Sequence, residues 1–181
     1  TTQPTNLTAE ISYGNLVKSV VDYGTNGLKQ TTINSYDDWV DSNPTRWMLG
    51  RLDESTVTHE ASGQSNIVRS SSFDYDDDWG LLSQEVIEPG DSIFKLCTDY
   101  YYDSFGNITN KTLTPAGLSS RTIHSVDYDS KGRFVETSWN ALGHETTFSN
   151  DQETGKPRSR TMPRPVSSSS RQASPALAVL P

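Results

Sequence analysis

Tyr102-Asp103-Ser104-Phe105-Gly106-Asn107-Ile108 and Tyr128-Asp129-Ser130-Lys131-Gly132-Arg133-Phe134 repeat one phrase: an aromatic and Asp, a short polar turn, a Gly, and an apolar residue two places on. A third copy, Tyr75-Asp76-Asp77-Asp78-Trp79-Gly80-Leu81-Leu82, has one extra residue between Tyr and Gly. Gly80, Gly106 and Gly132 stand 26 residues apart each time. A fixed period of this size marks a repeat architecture, in which no unit buries its apolar face alone. The first expectation is therefore a structural array rather than an enzyme.

Between the glycines the chain alternates. Ile108-Thr109-Asn110-Lys111-Thr112-Leu113-Thr114 reads as a strand, Pro115-Ala116-Gly117 turns, and Thr122 to Tyr128 returns to the next phrase. Phe134 to Trp139, a turn at Asn140-Ala141-Leu142-Gly143 and a return through Thr146-Thr147-Phe148 form the following unit. The expected fold is all-β, a meander of repeated antiparallel hairpins. In the phrase itself, Gly supplies the positive φ of a tight turn. Asp accepts hydrogen bonds from turn amides. Tyr packs its ring on the neighbouring hairpin with its hydroxyl near solvent.

Upstream, the phrase is worn. Tyr13-Gly14-Asn15-Leu16 is a shortened copy, and Tyr23-Gly24-Thr25-Asn26-Gly27-Leu28 is a fuller one without Asp, its Gly27 lying 53 residues before Gly80. Gly50-Arg51-Leu52 keeps a Gly in register without Tyr-Asp, and Tyr36-Asp37-Asp38-Trp39 to Pro44 reads as a polar loop. The array is thus expected over residues 1–157, with degenerate units over 10–70 and clear ones over 71–157. Residues 158–181 read as a disordered or divergent tail, since aromatics and acids both vanish there. The polar start at Thr1 is expected to mark an internal piece of a longer chain.

Composition agrees with β structure. Ser (25) and Thr (20) make up a quarter of the chain while Leu, Ile, Val and Phe total only 36, so no large helical core is expected. The net charge of −8 is uneven: residues 1–155 hold 23 acids and 10 bases, residues 156–181 hold 5 bases. An acidic body lacks the basic field that phosphate backbones require, which excludes nucleic acid as a partner. The longest apolar run, Ala176-Leu177-Ala178-Val179-Leu180, is far too short to span a bilayer.

With these residues in hand, the chain resembles the RHS or YD-repeat family, and the Trp47 to Gly63 stretch resembles the entry to the repeats in insecticidal toxin complex and SpvB-like proteins. The resemblance covers roughly residues 10–157. It implies a secreted or cell-surface bacterial protein whose hairpins coil into a hollow shell. It also implies, as partners, the remainder of a larger RHS protein and an enclosed C-terminal segment. The role expected here is that of a non-catalytic wall, with Tyr75, Gly80, Tyr102, Asp103, Gly106, Tyr128, Asp129 and Gly132 setting the repeat. The alternative is a surface module that binds glycan or protein through Trp39, Trp47, Trp79 and Trp139.

Other chemistry is thin. Asp74, Asp76, Asp78 and Glu85 fall at positions 1, 3, 5 and 12 of a calcium loop, the one candidate metal set, but Trp79 replaces the required Gly. His144-Glu145-Thr146-Thr147-Phe148 starts like a zinc-protease helix and has Phe where the second His belongs. Cys97 has only Lys95 nearby to activate it and reads as an ordinary strand residue. No cofactor is expected.

Overall fold

The computed structural model describes residues 6–12, 14–24, 27–40 and 47–162. Twelve strands follow one another: β1 (Asn6–Ser12), β2 (Asn15–Asp22), β3 (Lys29–Val40), β4 (Trp47–Glu60), β5 (Ile67–Tyr75) and β6 (Leu82–Ile87). They continue as β7 (Leu96–Tyr102), β8 (Ile108–Pro115), β9 (Arg121–Tyr128), β10 (Val135–Asn140), β11 (Glu145–Asn150) and β12 (Pro157–Thr161). All lie in a single sheet in chain order, each antiparallel to the next, and no helix occurs among the described residues. The expected all-β hairpin meander is what the chain forms.

A meander of this kind has two rims. The turns β1–β2, β5–β6, β7–β8, β9–β10 and β11–β12 share one rim, together with the β3–β4 connection, and the remaining turns share the other. Gly80, Gly106 and Gly132 all fall on the first rim, each with positive φ (68°, 84° and 65°) that suits a residue without Cβ. Three expectations are corrected here. Tyr23, Gly24, Gly27 and Leu28 fall between β2 and β3 and so sit on the opposite rim; the spacing of Gly27 to Gly80 is a coincidence of strand lengths. Tyr36 to Val40 is strand and not loop, because β3 and β4 pair from Lys29↔Glu60 out to Val40↔Trp47. The array also runs past residue 157, since β12 pairs with β11 through Thr161; residues 163–181 of the expected tail lie outside the described residues.

The sheet is one layer, so it has no central core. Only Val86 and Val126 are buried apolar residues among those described. Register shows how the two faces differ, because directly paired residues share a face. Phe73↔Glu85↔Thr98↔Leu113 and Ile87↔Leu96↔Pro115 define a face that also carries Tyr100 opposite Lys111. Ser72↔Val86↔Cys97↔Thr114 and Asp74↔Gln84↔Asp99↔Thr112 define the other, which is polar apart from Val86 and Cys97. On the aromatic face, Tyr100 donates to Glu85 (3.1 Å) and lies under Lys111 (5.2 Å), so rings there are held by cross-strand pairs.

Candidate functional site

The Tyr-Asp rim is the organised feature, and Asp builds each corner. Asp103 Oδ1 accepts from the amides of Phe105 (2.8 Å) and Asn107 (2.9 Å), while Asp129 Oδ1 accepts from those of Arg133 and Phe134. Asp76 takes the amides of Asp78, Trp79 and Leu81. In all three the Asp amide donates back across the turn, to Leu81, Asn107 or Phe134. The Gly amide donates to the Asp carbonyl: Gly106 to Asp103, Gly132 to Asp129, and Gly80 to Asp76. The extra residue before Gly80 makes its amide reach back four residues where Gly106 and Gly132 reach back three, and the closing carbonyl stands one residue after Gly at Leu81 and Asn107 and two after it at Phe134.

Two further corners follow the rule without its signature. Asp151 accepts from Glu153 (3.0 Å) and Thr154 (2.8 Å), and Gly155 donates to its carbonyl, in a unit where Asn150 stands in the Tyr place. Asp37 is bridged by Arg51 (2.7 Å), as Asp129 is by Arg133 (3.1 Å), which makes Tyr36-Asp37 and Gly50-Arg51 the two halves of one corner. Sequence reasoning missed that corner because the long β3–β4 hairpin separates the halves.

Tyr corrects an expectation. Its hydroxyl does not stay with solvent; it donates to a backbone carbonyl of the preceding hairpin. Tyr36 reaches Leu16 (3.0 Å), Tyr75 reaches Leu52 (3.0 Å), Tyr102 reaches Leu82 (2.7 Å) and Tyr128 reaches Ile108 (3.3 Å). Asn150 does the same to Val135 with its amide (3.2 Å). The four Tyr acceptors each stand two residues after the previous Gly: Gly14, Gly50, Gly80 and Gly106. The apolar position of one phrase is thus the anchor of the next phrase's Tyr.

The register explains the need. Ladders between successive hairpins end at Lys18↔Ile33, Glu54↔Ser72, Gln84↔Asp99, Asn110↔Ser125 and Thr137↔Thr147. Each ends three residues short of Tyr36, Tyr75, Tyr102, Tyr128 or Asn150, so the hairpins splay toward this rim. Within each hairpin the register also slips at that residue, as a bulge that re-aims the side chain across the gap. The hydroxyl replaces the ladder bond the splay removes. Burial pushes the Tyr75 and Tyr102 hydroxyls up from their ordinary value.

Neighbouring corners touch. Asn107 donates to Asp103 (3.0 Å) and onward to the Gly132 carbonyl (2.7 Å), and Arg133 donates to Gln152. A Cβ on Gly132 would meet Phe105 ring and Cβ atoms at 2.4 to 2.9 Å, so Gly132 serves close approach as well as positive φ. Electrostatics follow the contacts. Against desolvation that pulls the other way, the Asn107 side chain and turn amides hold the Asp103 carboxyl below its ordinary value. Asp129, 6% exposed, is held down in the same way by the Arg133 and Phe134 amides and by the Arg133 guanidinium. Arg158 and the Thr154 contacts lower Asp151 to about 2.

The other candidates do not converge. Asp76 is committed to three amides, Asp74 pairs with Gln84 across the ladder, and Glu85 accepts from Tyr100. Among the described residues no three His, Cys, Asp or Glu side chains gather as a metal group. His144 precedes a strand, and Glu145 accepts from Trp139 Nε1 (3.1 Å). Trp79, 73% exposed, lies on the Tyr-Asp rim, whereas Trp139 adjoins the turn at the other, so these two form no common patch. Trp39 and Trp47 lie on paired strands β3 and β4.

No protein-family model matches the chain, and no curated protein sequence does. Thirteen chains of solved structures resemble it. One is in the crystal structure of TcdB2-TccC3-Cdc42, at 12% identity and a TM-score of 0.52, covering 87% of this chain and 9% of that chain. At that identity the likeness is one of fold: nearly the whole hairpin strip matches a small part of a much longer chain.

Proposed function

We infer that this chain is a wall segment of a larger RHS-like shell in a toxin-related bacterial protein, with a mechanical role and no catalytic one. The observation that carries the reading is the rim. Asp carboxylates lock corner after corner, and a Tyr hydroxyl or an Asn amide bridges each of five gaps between hairpins. Such a device propagates indefinitely along a strip. A one-layer strip also needs company, because both faces stay partly open and both edge strands, β1 and β12, are exposed along their length. A longer array closing on itself supplies that company.

The likeness to a chain of the TcdB2-TccC3-Cdc42 structure, and the YD phrases themselves, support the toxin-related setting. In this reading the wall encloses or presents another segment of the same protein, and the protein is secreted or surface-bound. Electron cryo-microscopy of the intact protein tests it. A hollow body with residues 6–162 as contiguous one-layer wall is the expected result. A solid body, or this segment packed between two other layers, refutes it.

A further inference from the structure

Opposite the Tyr-Asp rim, strands β9 to β12 form an open concavity of about 420 Å³, with Asn140, His144 and Arg160 exposed around it. Register gathers its polar lining from four neighbouring strands onto one face. His124 is opposite Asn140, Ser138 is opposite Thr146, and Arg160 is opposite Phe148, two residues on from Thr146. His144 joins them from the β10–β11 turn, and Met162 adds an apolar wall.

The chemistry of this lining is one-sided. Arg160 brings a fork of N–H donors, the two imidazoles and the Asn140 amide add more, and Ser138 and Thr146 bring hydroxyls. The lining residues themselves carry no carboxylate, in a chain whose net charge is −8, and the adjoining Glu145 is engaged by the Nε1 of the lining Trp139 (3.1 Å). Two arrangements aim the donors. Asn140 Oδ1 accepts from the amides of Leu142 (2.9 Å) and His144 (3.0 Å), which turns its NH₂ toward His144 Nδ1 at 3.3 Å. An Nδ1 that accepts leaves the hydrogen of a neutral ring on Nε2. The Arg160 guanidinium rests over the Phe148 ring at 5.7 Å, which holds it on this face.

We propose that this concavity binds a sugar bearing an oxyanion, whether carboxylate, sulfate or phosphate. Arg160 engages the oxyanion, which its planar fork fits in bidentate fashion. Ser138, Asn140, Thr146 and the imidazoles engage ring hydroxyls, which donate and accept as these side chains do. The volume falls within the roughly 300–1,000 Å³ of pockets that hold small ligands. The site stands on these residues alone and holds whether or not the strip is part of a shell.

The test is a titration of the 181-residue chain with glucuronate, a glucose phosphate and a glucose sulfate, with glucose and inorganic phosphate as controls. The readout is the NMR signals of the imidazoles, His59 on β4 serving as an internal reference. Saturable shifts at His124 and His144 but not at His59 are expected, and the tightest of the three sugars identifies the oxyanion. Arg160→Gln should weaken binding about tenfold or more, the scale of a charge-assisted hydrogen bond. His144→Gln, in an exposed turn, is the second variant and should weaken it less. The proposal is overturned if none of the three acidic sugars gives a saturable shift. It is equally overturned if glucose or inorganic phosphate binds as tightly, or if neither variant changes the affinity.

Discussion

Alanine at Gly132 should cost clearly more than alanine at Gly106, although both occupy the same place in the repeat. The φ values are +65° and +84°, so each substitution forces a side chain into the left-handed region at about 1–2 kcal/mol. At Gly106 the new Cβ meets only Leu81 Cδ1 at 3.7 Å, an ordinary contact, so that figure is the whole cost. At Gly132 it meets Phe105 Cδ2 at 2.4 Å, Cγ at 2.5 Å and Cβ at 2.9 Å. The ring is 60% exposed and can swing, but its Cβ moves only with the corner backbone. Overpacking adds about 1–3 kcal/mol, for a total of roughly 2–5 kcal/mol at Gly132. Phe105→Ala removes the two closest atoms and should return part of that cost. Urea unfolding of Gly106→Ala, Gly132→Ala, Phe105→Ala and the Phe105→Ala/Gly132→Ala double variant reads these differences as midpoints at constant slope. The account predicts a coupling of about 1–3 kcal/mol in the Phe105–Gly132 cycle. Equal costs at the two glycines, or additivity in the cycle, would refute the stacking of successive corners.

Tyr102→Phe should lose about 0.5–1.5 kcal/mol, the net worth of one hydrogen bond, by urea unfolding. Tyr128→Phe should lose less, since its bond is 3.3 Å against 2.7 Å. Acid should weaken the corners in a defined window. Asp103, Asp129 and Asp151 have folded pKa values below those of the open chain, so their contribution is complete above the unfolded value of about 3.9. It is lost as pH falls through the folded values, about 2 for Asp151, so a melting temperature that is level from neutral pH to about 5 should drop steeply below about 4. A drop already complete at pH 5 would contradict this. The isolated chain should self-associate through β1, where Leu7 and Ile11 are each 67% exposed, and Leu7→Lys should lower the sedimentation-derived mass.

Much of this was legible in the residues, for a physical reason. Where both turns keep a constant length, strand lengths are constant too, and the phrase recurs in register. Ile108 to Thr114, read as a strand, is β8 to within one residue, and Gly106 and Gly132 are corners as expected. Counting fails where a hairpin changes length. β3 and β4 have 12 and 14 residues, so Tyr36-Asp37 is carried far from Gly50-Arg51, and Tyr23 to Gly27 falls near the expected spacing on the wrong rim. The part Asn150 plays in its unit was not legible, because it replaces an aromatic by another donor and only the bond to Val135 shows the equivalence. The hydroxyl's destination depends on how far successive hairpins splay, which no single phrase encodes. The donor cluster around Arg160 was hidden likewise, since its members are scattered over four strands and only the pairing brings them together.

Residue-resolved amide hydrogen exchange tests the central claim most directly, that the Tyr-Asp and Gly positions are hydrogen-bonded corners of side-by-side hairpins. The amides of Asp103, Gly106, Asn107, Asp129, Gly132 and Arg133 all donate within a corner and should exchange slowly, on the scale of the β7 to β10 ladders. Those of Ser104 and Ser130, at the exposed tips between them, should exchange fast. Corner amides exchanging as fast as the tips, while the strands stay protected, would contradict the account.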